Sequence, residues 1–317
     1  MKITHIPNKA DIEASHELIQ DMIFRTPVMT CQSINHLLET QIYFKCENFQ
    51  KVGAFKMRGG ANAAVRLSRE EQAKGLATHS SGNHAQAVAR AAQLLGVPAY
   101  IVMPSNAPSI KVAATKGYGA EVIHCGPTID DRTTTLNQVI AEKGATFIHP
   151  FDNYDVIAGQ ATCAKELIED CPPLDILMAP VGGGGLMSGT ALSGKYFSPT
   201  SKVYGAEPEI VNDAYRSFHG KGIVKNERID TIADGLRTNL SEKTYEIIKE
   251  NLEDIITVSE EMIIKAMRLI WERMKIIIEP SCAVPLAAVM TKSDLFKGKK
   301  VGMILTGGNV DLEKLPF

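Results

Sequence analysis

The stretch DILMAPVGGGGLMSGTALSGKY, Asp175 to Tyr196, decides the fold class. An apolar run leads straight into Gly182, Gly183, Gly184 and Gly185, and these lead directly into a helix-forming segment. A strand, a glycine turn and a helix in that order make a βα unit. Glycine loses more backbone entropy on folding than any other residue, so four in succession suggest a ligand approaching the main chain too closely to admit Cβ atoms. At a helix N-terminus the free N–H groups and the helix dipole favour an anion, typically a phosphate. A plain tight turn is the alternative. The Gly-Lys-Ser/Thr ending of a P-loop is missing, as is G-x-G-x-x-G spacing, which argues against nucleoside triphosphates and dinucleotides.

The same rhythm extends outward from this unit. IYFKCE precedes GGANAAVRLS, GLATHSS precedes HAQAVARAAQLLG, and PAYIVMP precedes SIKVAATKGYG. AEVIHC, TFIHPF, KVYGAEP and VGMILTGG read as further strands, AGQATCAKELIED and SEEMIIKAMRLIWERMK as helices. Such alternation predicts an α/β protein with mostly parallel sheets covered by helices. Charged SREEQAKG near residue 74 and polar, aromatic HPFDNYD near residue 152 mark two breaks. They divide the chain into a large lobe, 1–74 with 153–317, and a smaller inserted lobe, 75–152.

Bulk properties narrow the function. The 317 residues are 44% hydrophobic, enough to bury a substantial core. The 34 basic and 36 acidic residues are spread along the chain for a net charge of −2, which argues against a nucleic-acid partner. MKITHIPNKADIEASHELIQ lacks the apolar stretch of a signal peptide, and no segment approaches the roughly 20 apolar residues of a membrane helix. A cytoplasmic protein is expected. Cys31, Cys46, Cys125, Cys163, Cys171 and Cys282 form no C-x-x-C pair and read as reduced packing residues.

Two more turns resemble the glycine turn in position. In THSSGNHAQAVARAAQLLG, Ser80, Ser81, Gly82, Asn83 and His84 occupy a helix start, as helix caps or as a pocket for a carboxylate. In VGMILTGGNVDL a strand ends in Thr306, Gly307 and Gly308. Open α/β sheets bind ligands at such strand ends. Lys56 stands among Gly53, Ala54, Phe55 and Met57. A lone lysine is ordinarily a solvated charge, but desolvation by these neighbours would lower its pKa and supply the neutral amine of Schiff-base chemistry.

Taken in order, F-K-x-R-G-G-A (55–61), S-S-G-N-H-A-Q-A (80–87), G-G-G-G (182–185) and T-G-G-N-V-D-L (306–312) resemble the fold-type II pyridoxal-5′-phosphate (PLP) enzymes. More narrowly, the chain resembles the serine racemase and serine/threonine dehydratase family, including 3-hydroxyaspartate dehydratases. The resemblance implies that Lys56 holds PLP as a Schiff base beside Phe55. It implies further that Gly182 to Gly185 cradle the phosphate, Asn83 bonds the 3′-oxygen and Thr306 faces the pyridine nitrogen. Ser80, Ser81, Asn83 and His84 match the turn that binds the substrate carboxylate, with Arg132 as a second carboxylate ligand. Glu207, Asp213 and the carbonyl of Val211 match a divalent-cation site for Mg²⁺ or Ca²⁺. A homodimer and a nucleotide effector are further family expectations.

The implied reaction begins when the amine of a small β-hydroxy amino acid displaces Lys56 from PLP, after which the freed Lys56 amine removes the α-proton. Loss of the β-hydroxyl then gives aminoacrylate, which hydrolyses to a keto acid and ammonia, whereas return of a proton to the opposite face, with Ser81 as the second acid–base group, gives the mirror-image amino acid. The rivals are a dedicated threonine or threo-3-hydroxyaspartate dehydratase, a β-replacement synthase, which would show S-G-N-T where His84 follows Asn83, and an amino-acid-binding protein without turnover. With no regulatory domain expected after Phe317, a short catabolic or racemising enzyme fits best.

Overall fold

The computed structural model describes residues 1–107 and 109–317. Ten strands lie among them: β1 (Val28–Met29), β2 (Gln41–Cys46), β3 (Leu76–His79), β4 (Ala99–Pro104), β5 (Glu121–Cys125), β6 (Thr146–Phe147), β7 (Ile176–Pro180), β8 (Lys202–Pro208), β9 (Asp254–Val258) and β10 (Lys300–Leu305). Six make one sheet in the order β1-β2-β10-β7-β8-β9, and four make another in the order β5-β4-β3-β6. All neighbouring pairs are parallel except β1 with β2. The α/β architecture read from the sequence is the one the chain adopts. β1 and β9 were not foreseen: β1 is two residues long, and DIITV of β9 lacks a turn signal of its own.

Successive strand residues point to opposite faces, and each face has its own core. In the six-stranded sheet Phe44, Met178, Tyr204, Ile256 and Met303 pack against helices Glu260–Met274 and Pro280–Thr291. Leu177, Val203, Ile255 and Ile304 face the opposite way, toward helices Tyr154–Glu169 and Gly185–Phe197. In the smaller sheet Ala77 and Val102 pack on Leu136 and Val139 of helix Ile129–Lys143. Leu76, Ile101 and Met103 pack on helix Asn83–Leu95 and on Ile19, Val52, Met57, Ala61 and Ala64 from the N-terminal part of the chain.

Helix Lys56–Val65 is therefore gripped from two sides. A Cβ on Gly159 of helix Tyr154–Glu169 would lie 2.6 Å from the Arg58 carbonyl oxygen, and one on Gly60 would lie 3.3 Å from the Cβ of Ala87. Local signals set the helix limits. Thr128 and Asp131 form a capping box at the start of Ile129–Lys143, whose end is Gly144 in the left-handed region (φ 67°). Because β7 and β10 run parallel to each other in one sheet, the turns after them leave from the same, carboxyl edge, and the turn after β3 leaves from the carboxyl edge of the other sheet.

Candidate active site

Lys56 is the first residue of its helix, and the backbone before it is tied to the end of β10. The Phe55 N–H donates to the Thr306 carbonyl (3.0 Å), and Ala54 bridges Gly307. The Lys56 amine donates to the carbonyl oxygen of Pro150 at 2.9 Å and lies 5.2 Å from the centroid of the Phe55 ring. The residue is partly open to solvent, but protein surrounds the amine. The lost hydration pulls its pKa down to about 8, with Glu279 pulling the other way. About a tenth of the amine is thus neutral at pH 7.

Asn83 begins helix Asn83–Leu95, where Gly82 offers no side-chain cap. Its Nδ2 donates to both oxygens of Glu279 (3.0 and 3.1 Å), and its Oδ1 accepts from Asn309 Nδ2 (2.9 Å). Glu279 is buried, and its own N–H donates to the Gly307 carbonyl (3.0 Å). Burial and the charge of Asp234 push its carboxyl up to about 7, against the bond from Asn83. Ser80 and Ser81 are half-buried, the Ser80 Oγ accepting from the Gly82 N–H (3.3 Å). The His84 ring pairs through Nε2 with the Ile148 carbonyl (2.9 Å), while its buried Nδ1 has no partner. Burial first, and the nearby Lys56 charge second, bring its pKa down to about 3. His84 offers this turn a neutral ring and a backbone N–H, not a positive charge.

The four glycines after β7 are all buried, and a Cβ on any of them would strike protein. On Gly183 it would lie 2.4 Å from the Phe151 ring, on Gly185 2.9 Å from the Phe151 Cβ, and on Gly182 3.0 Å from the Gly235 carbonyl oxygen. Gly184 has φ 86°, and its Cβ would meet Thr244 at 2.7 Å. Packing by Phe151 and Thr244 is thus a second reason for glycine here, beside the close approach of a ligand. Helix Gly185–Phe197 starts with no side-chain cap on its free N–H groups, which leaves them open to an anion.

Phe151 ends a row of rings. His79 stacks on Phe147 (centroids 5.6 Å apart), Phe147 meets His149 edge-on (5.4 Å), and His149 meets Phe151 edge-on (4.7 Å). His149 Nδ1 accepts from the N–H groups of Phe151 (3.3 Å) and Asp152 (2.8 Å), and burial lowers its pKa to about 4. At the end of β10, Thr306 is buried, and its hydroxyl has no hydrogen bond of ordinary geometry, the Cys282 thiol being its near neighbour.

Residues 19–307 match the family described as pyridoxal-phosphate dependent enzyme. The chain belongs to this family. A β-hydroxyaspartate dehydratase of Paracoccus denitrificans is 47% identical over 313 residues, covering 99% of each chain. An L-threo-3-hydroxyaspartate ammonia-lyase of Saccharomyces cerevisiae is 48% identical over 310 residues, 98% of this chain and 95% of that one. The solved serine racemase of Dictyostelium discoideum superposes with a TM-score of 0.93 at 48% identity, covering 97% of this chain and 100% of that one.

The site has the chemistry that PLP requires. A desolvated lysine and a buried hydroxyl without a partner lie on segments joined through Phe55–Thr306 and Ala54–Gly307, and helix Gly185–Phe197 starts uncapped, as an anion-binding helix end does. Such an orphaned hydroxyl is costly unless a polar group of a ligand meets it.

The remaining predicted residues lie further out. Arg132 is on helix Ile129–Lys143, close enough to His79 and Cys125 to lower the pKa of the first and oppose the rise of the second. Its Nη2 reaches only the Pro127 carbonyl (3.5 Å), its Nε is buried without a partner, and among the described residues it makes no ion pair. Glu207 and Asp213 are both fully buried. Glu207 accepts the N–H groups of Ala214 (3.0 Å) and Tyr215 (2.9 Å), and Asp213 accepts from Leu240 N–H (3.0 Å) and Asn226. Burial raises both carboxyls, Asp213 to about 6 and Glu207 well above its ordinary value, the Asp213 charge adding to the latter. Val211 ends a short turn between them. Among the described residues no group of three or more acidic, histidine or cysteine side chains is placed to hold a metal.

Sequence reading missed Glu279, Asn309, Pro150 and Phe151. Glu279 precedes Pro280 at a helix start, an ordinary N-terminal signal. Asn309 lies inside T-G-G-N-V-D-L and was visible there. Pro150 and Phe151 belong to HPFDNYD, which read as a boundary between lobes.

Proposed function

We propose that this protein is a PLP-dependent serine racemase that also acts as an L-serine and L-threonine ammonia-lyase on small β-hydroxy amino acids. The observation that carries the reading is the Lys56 amine, lowered to about 8 and bonded to a backbone carbonyl at the ends of the turns that hold Asn83 and Thr306. Bound PLP supplies an electron-withdrawing ring that makes the α-C–H of an attached amino acid acidic. Lys56 would hold that ring, and once the substrate amine has replaced it, its freed neutral amine would take the α-proton. The free N–H groups at the start of helix Gly185–Phe197 hold the phosphate. Asn83, steadied by Glu279 and Asn309, would hold the ring through its 3′-oxygen, and the Thr306 hydroxyl would meet its nitrogen. A neutral hydroxyl there tempers the electron withdrawal, which suits proton exchange and elimination.

The substrate carboxylate binds at Ser80, Ser81 and the N–H groups of Asn83 and His84. The Ser81 hydroxyl returns the proton to the face opposite Lys56. Glu207, Asp213 and the Val211 carbonyl hold Mg²⁺ or Ca²⁺, whose charge offsets two buried carboxylates. The functional unit is a homodimer, testable by sedimentation.

A second reading, a dedicated threo-3-hydroxyaspartate dehydratase, draws on Arg132, whose unpaired guanidinium suits a second substrate carboxylate. Incubating the PLP-loaded protein and Mg²⁺ with L-serine, and separately with L-threo-3-hydroxyaspartate, distinguishes the two. D-serine alongside pyruvate, with D-serine lost and pyruvate kept in Ser81→Ala, supports the racemase. Oxaloacetate and ammonia from hydroxyaspartate with no D-serine from L-serine would overturn it in favour of the dehydratase.

A further inference from the structure

In F-K-x-R-G-G-A the arginine has no part in the chemistry assigned to Lys56, yet Arg58 is fully buried and its polar atoms have a full set of partners. Its Nε and Nη2 donate to the two oxygens of Glu47, both at 2.8 Å. Its Nη1 and Nη2 donate to the two oxygens of Glu166, again both at 2.8 Å, and Nη1 also reaches the Thr162 hydroxyl (3.1 Å). Lys45 joins the group, 2.7 Å from Glu166, and none of these four charged side chains is exposed. Two positive and two negative charges balance, but burying them costs desolvation comparable to what their attraction returns, and apolar packing would stabilise the helix at least as well. What apolar packing lacks is direction. A guanidinium forked between two carboxylates fixes both position and rotation.

That rotation bears on Lys56. Two residues along a helix are about 200° apart, so Arg58 anchors the side of helix Lys56–Val65 roughly opposite Lys56. Glu47 follows β2 and Glu166 lies on helix Tyr154–Glu169, so the fork ties the Lys56 helix to the end of a strand and to one of its two flanking helices. An amine about 6 Å from a helix axis moves about 1 Å for a roll of about 10°. A misplacement of about 1 Å at a reacting atom can lower the rate on the order of a hundredfold.

We propose that Arg58 is a positioning residue, whose double fork to Glu47 and Glu166 sets the roll of the Lys56 helix and thereby aims the Lys56 amine. The proposal rests on the reading of Lys56 as the residue that attaches PLP. Its test uses PLP-loaded Arg58→Lys, which keeps the charge and loses the fork, and Glu47→Gln, which keeps the shape and weakens one arm. Kinetics are followed with L-serine or L-threo-3-hydroxyaspartate, whichever turns over faster, and visible circular dichroism reports the tilt of the bound ring. In each variant that folds, kcat falls about ten- to a hundredfold with KM changed less than about threefold, and the visible dichroism loses at least about half its amplitude. Either variant keeping both kcat and dichroism within about twofold of the parent, whatever its melting temperature, overturns the proposal. Failure of both variants to fold also overturns it, because the network would then serve folding and not aim. A parallel Lys56→Ala sample, loaded with PLP and reduced with borohydride, tests the underlying reading separately: a label recovered on another lysine removes Lys56 from the chemistry whatever Arg58 does.

Discussion

Asn83 gives its side-chain amide to both carboxylate oxygens of Glu279, at 3.0 and 3.1 Å, so the residue assigned to the cofactor's 3′-oxygen leans on a buried acid. That acid titrates near 7 in the folded protein against 4.5 for an ordinary glutamate. Between these values the folded chain holds a proton that the unfolded chain has released. The contribution to stability is therefore complete below pH 4.5 and is lost as pH rises through 7. The full shift corresponds to roughly 3 kcal/mol. In PLP-free protein, the stability difference between the parent and Glu279→Gln, measured by urea denaturation, shifts in the variant's favour by up to that amount from pH 4.5 to 8. A difference that stays flat with pH counts against a raised Glu279.

The Lys56 amine gives a kinetic counterpart. Only the neutral amine attacks an aldehyde, and burial brings its pKa to about 8. The rate of PLP attachment, followed by absorbance in a stopped-flow instrument, rises about tenfold per pH unit below 8 and levels above it. A midpoint near 10 would show an amine in free contact with water.

Substitution in the glycine turn separates backbone strain from crowding. Gly184→Ala meets both, a φ of 86° and Thr244 at 2.7 Å, and costs about 2 to 3 kcal/mol, read as a lower midpoint in denaturant. Gly183→Ala meets only the Phe151 ring at 2.4 Å, and pairing it with Phe151→Ala restores most of the lost stability. Full additivity of that pair would mean that the ring and the turn do not touch.

A divalent cation at Glu207 and Asp213 would relieve two buried carboxylates. Mg²⁺ or Ca²⁺ at a hundredfold excess over its dissociation constant adds about 2.7 kcal/mol to stability. Glu207→Gln abolishes that rise in melting temperature. An equal rise in the variant places the ion elsewhere.

The parts of the site legible in sequence share one property: each sits at a discontinuity, where an apolar strand breaks into glycine or hydroxyl residues before a helix. Thr306, Asn83 and the four glycines stand at such breaks. Glu279 does not, because an acid followed by proline at a helix start has a sufficient local explanation, and its meeting with Asn83 spans 196 residues of chain. One of the reasons for the glycines was hidden for a similar cause. Phe151 and Thr244, which exclude their side chains, are distant in sequence, and a pattern reading assigns the missing Cβ atoms to a ligand. Arg58 was quoted within its motif, but only the fold brings Glu47 and Glu166 to its two sides.

The four-stranded sheet draws all its strands from residues 76–147, yet one face of it is covered by Ile19, Val52, Met57, Ala61 and Ala64. A fragment cut to those strands and their own helices would keep helix Asn83–Leu95 on that face but leave the side of the helix that meets helix Lys56–Val65 bare to water. The lysine's helix is thus also a lid on its neighbour's core. Engineering that transplants the smaller sheet between relatives has to carry the first 65 residues with it, or accept an aggregating graft.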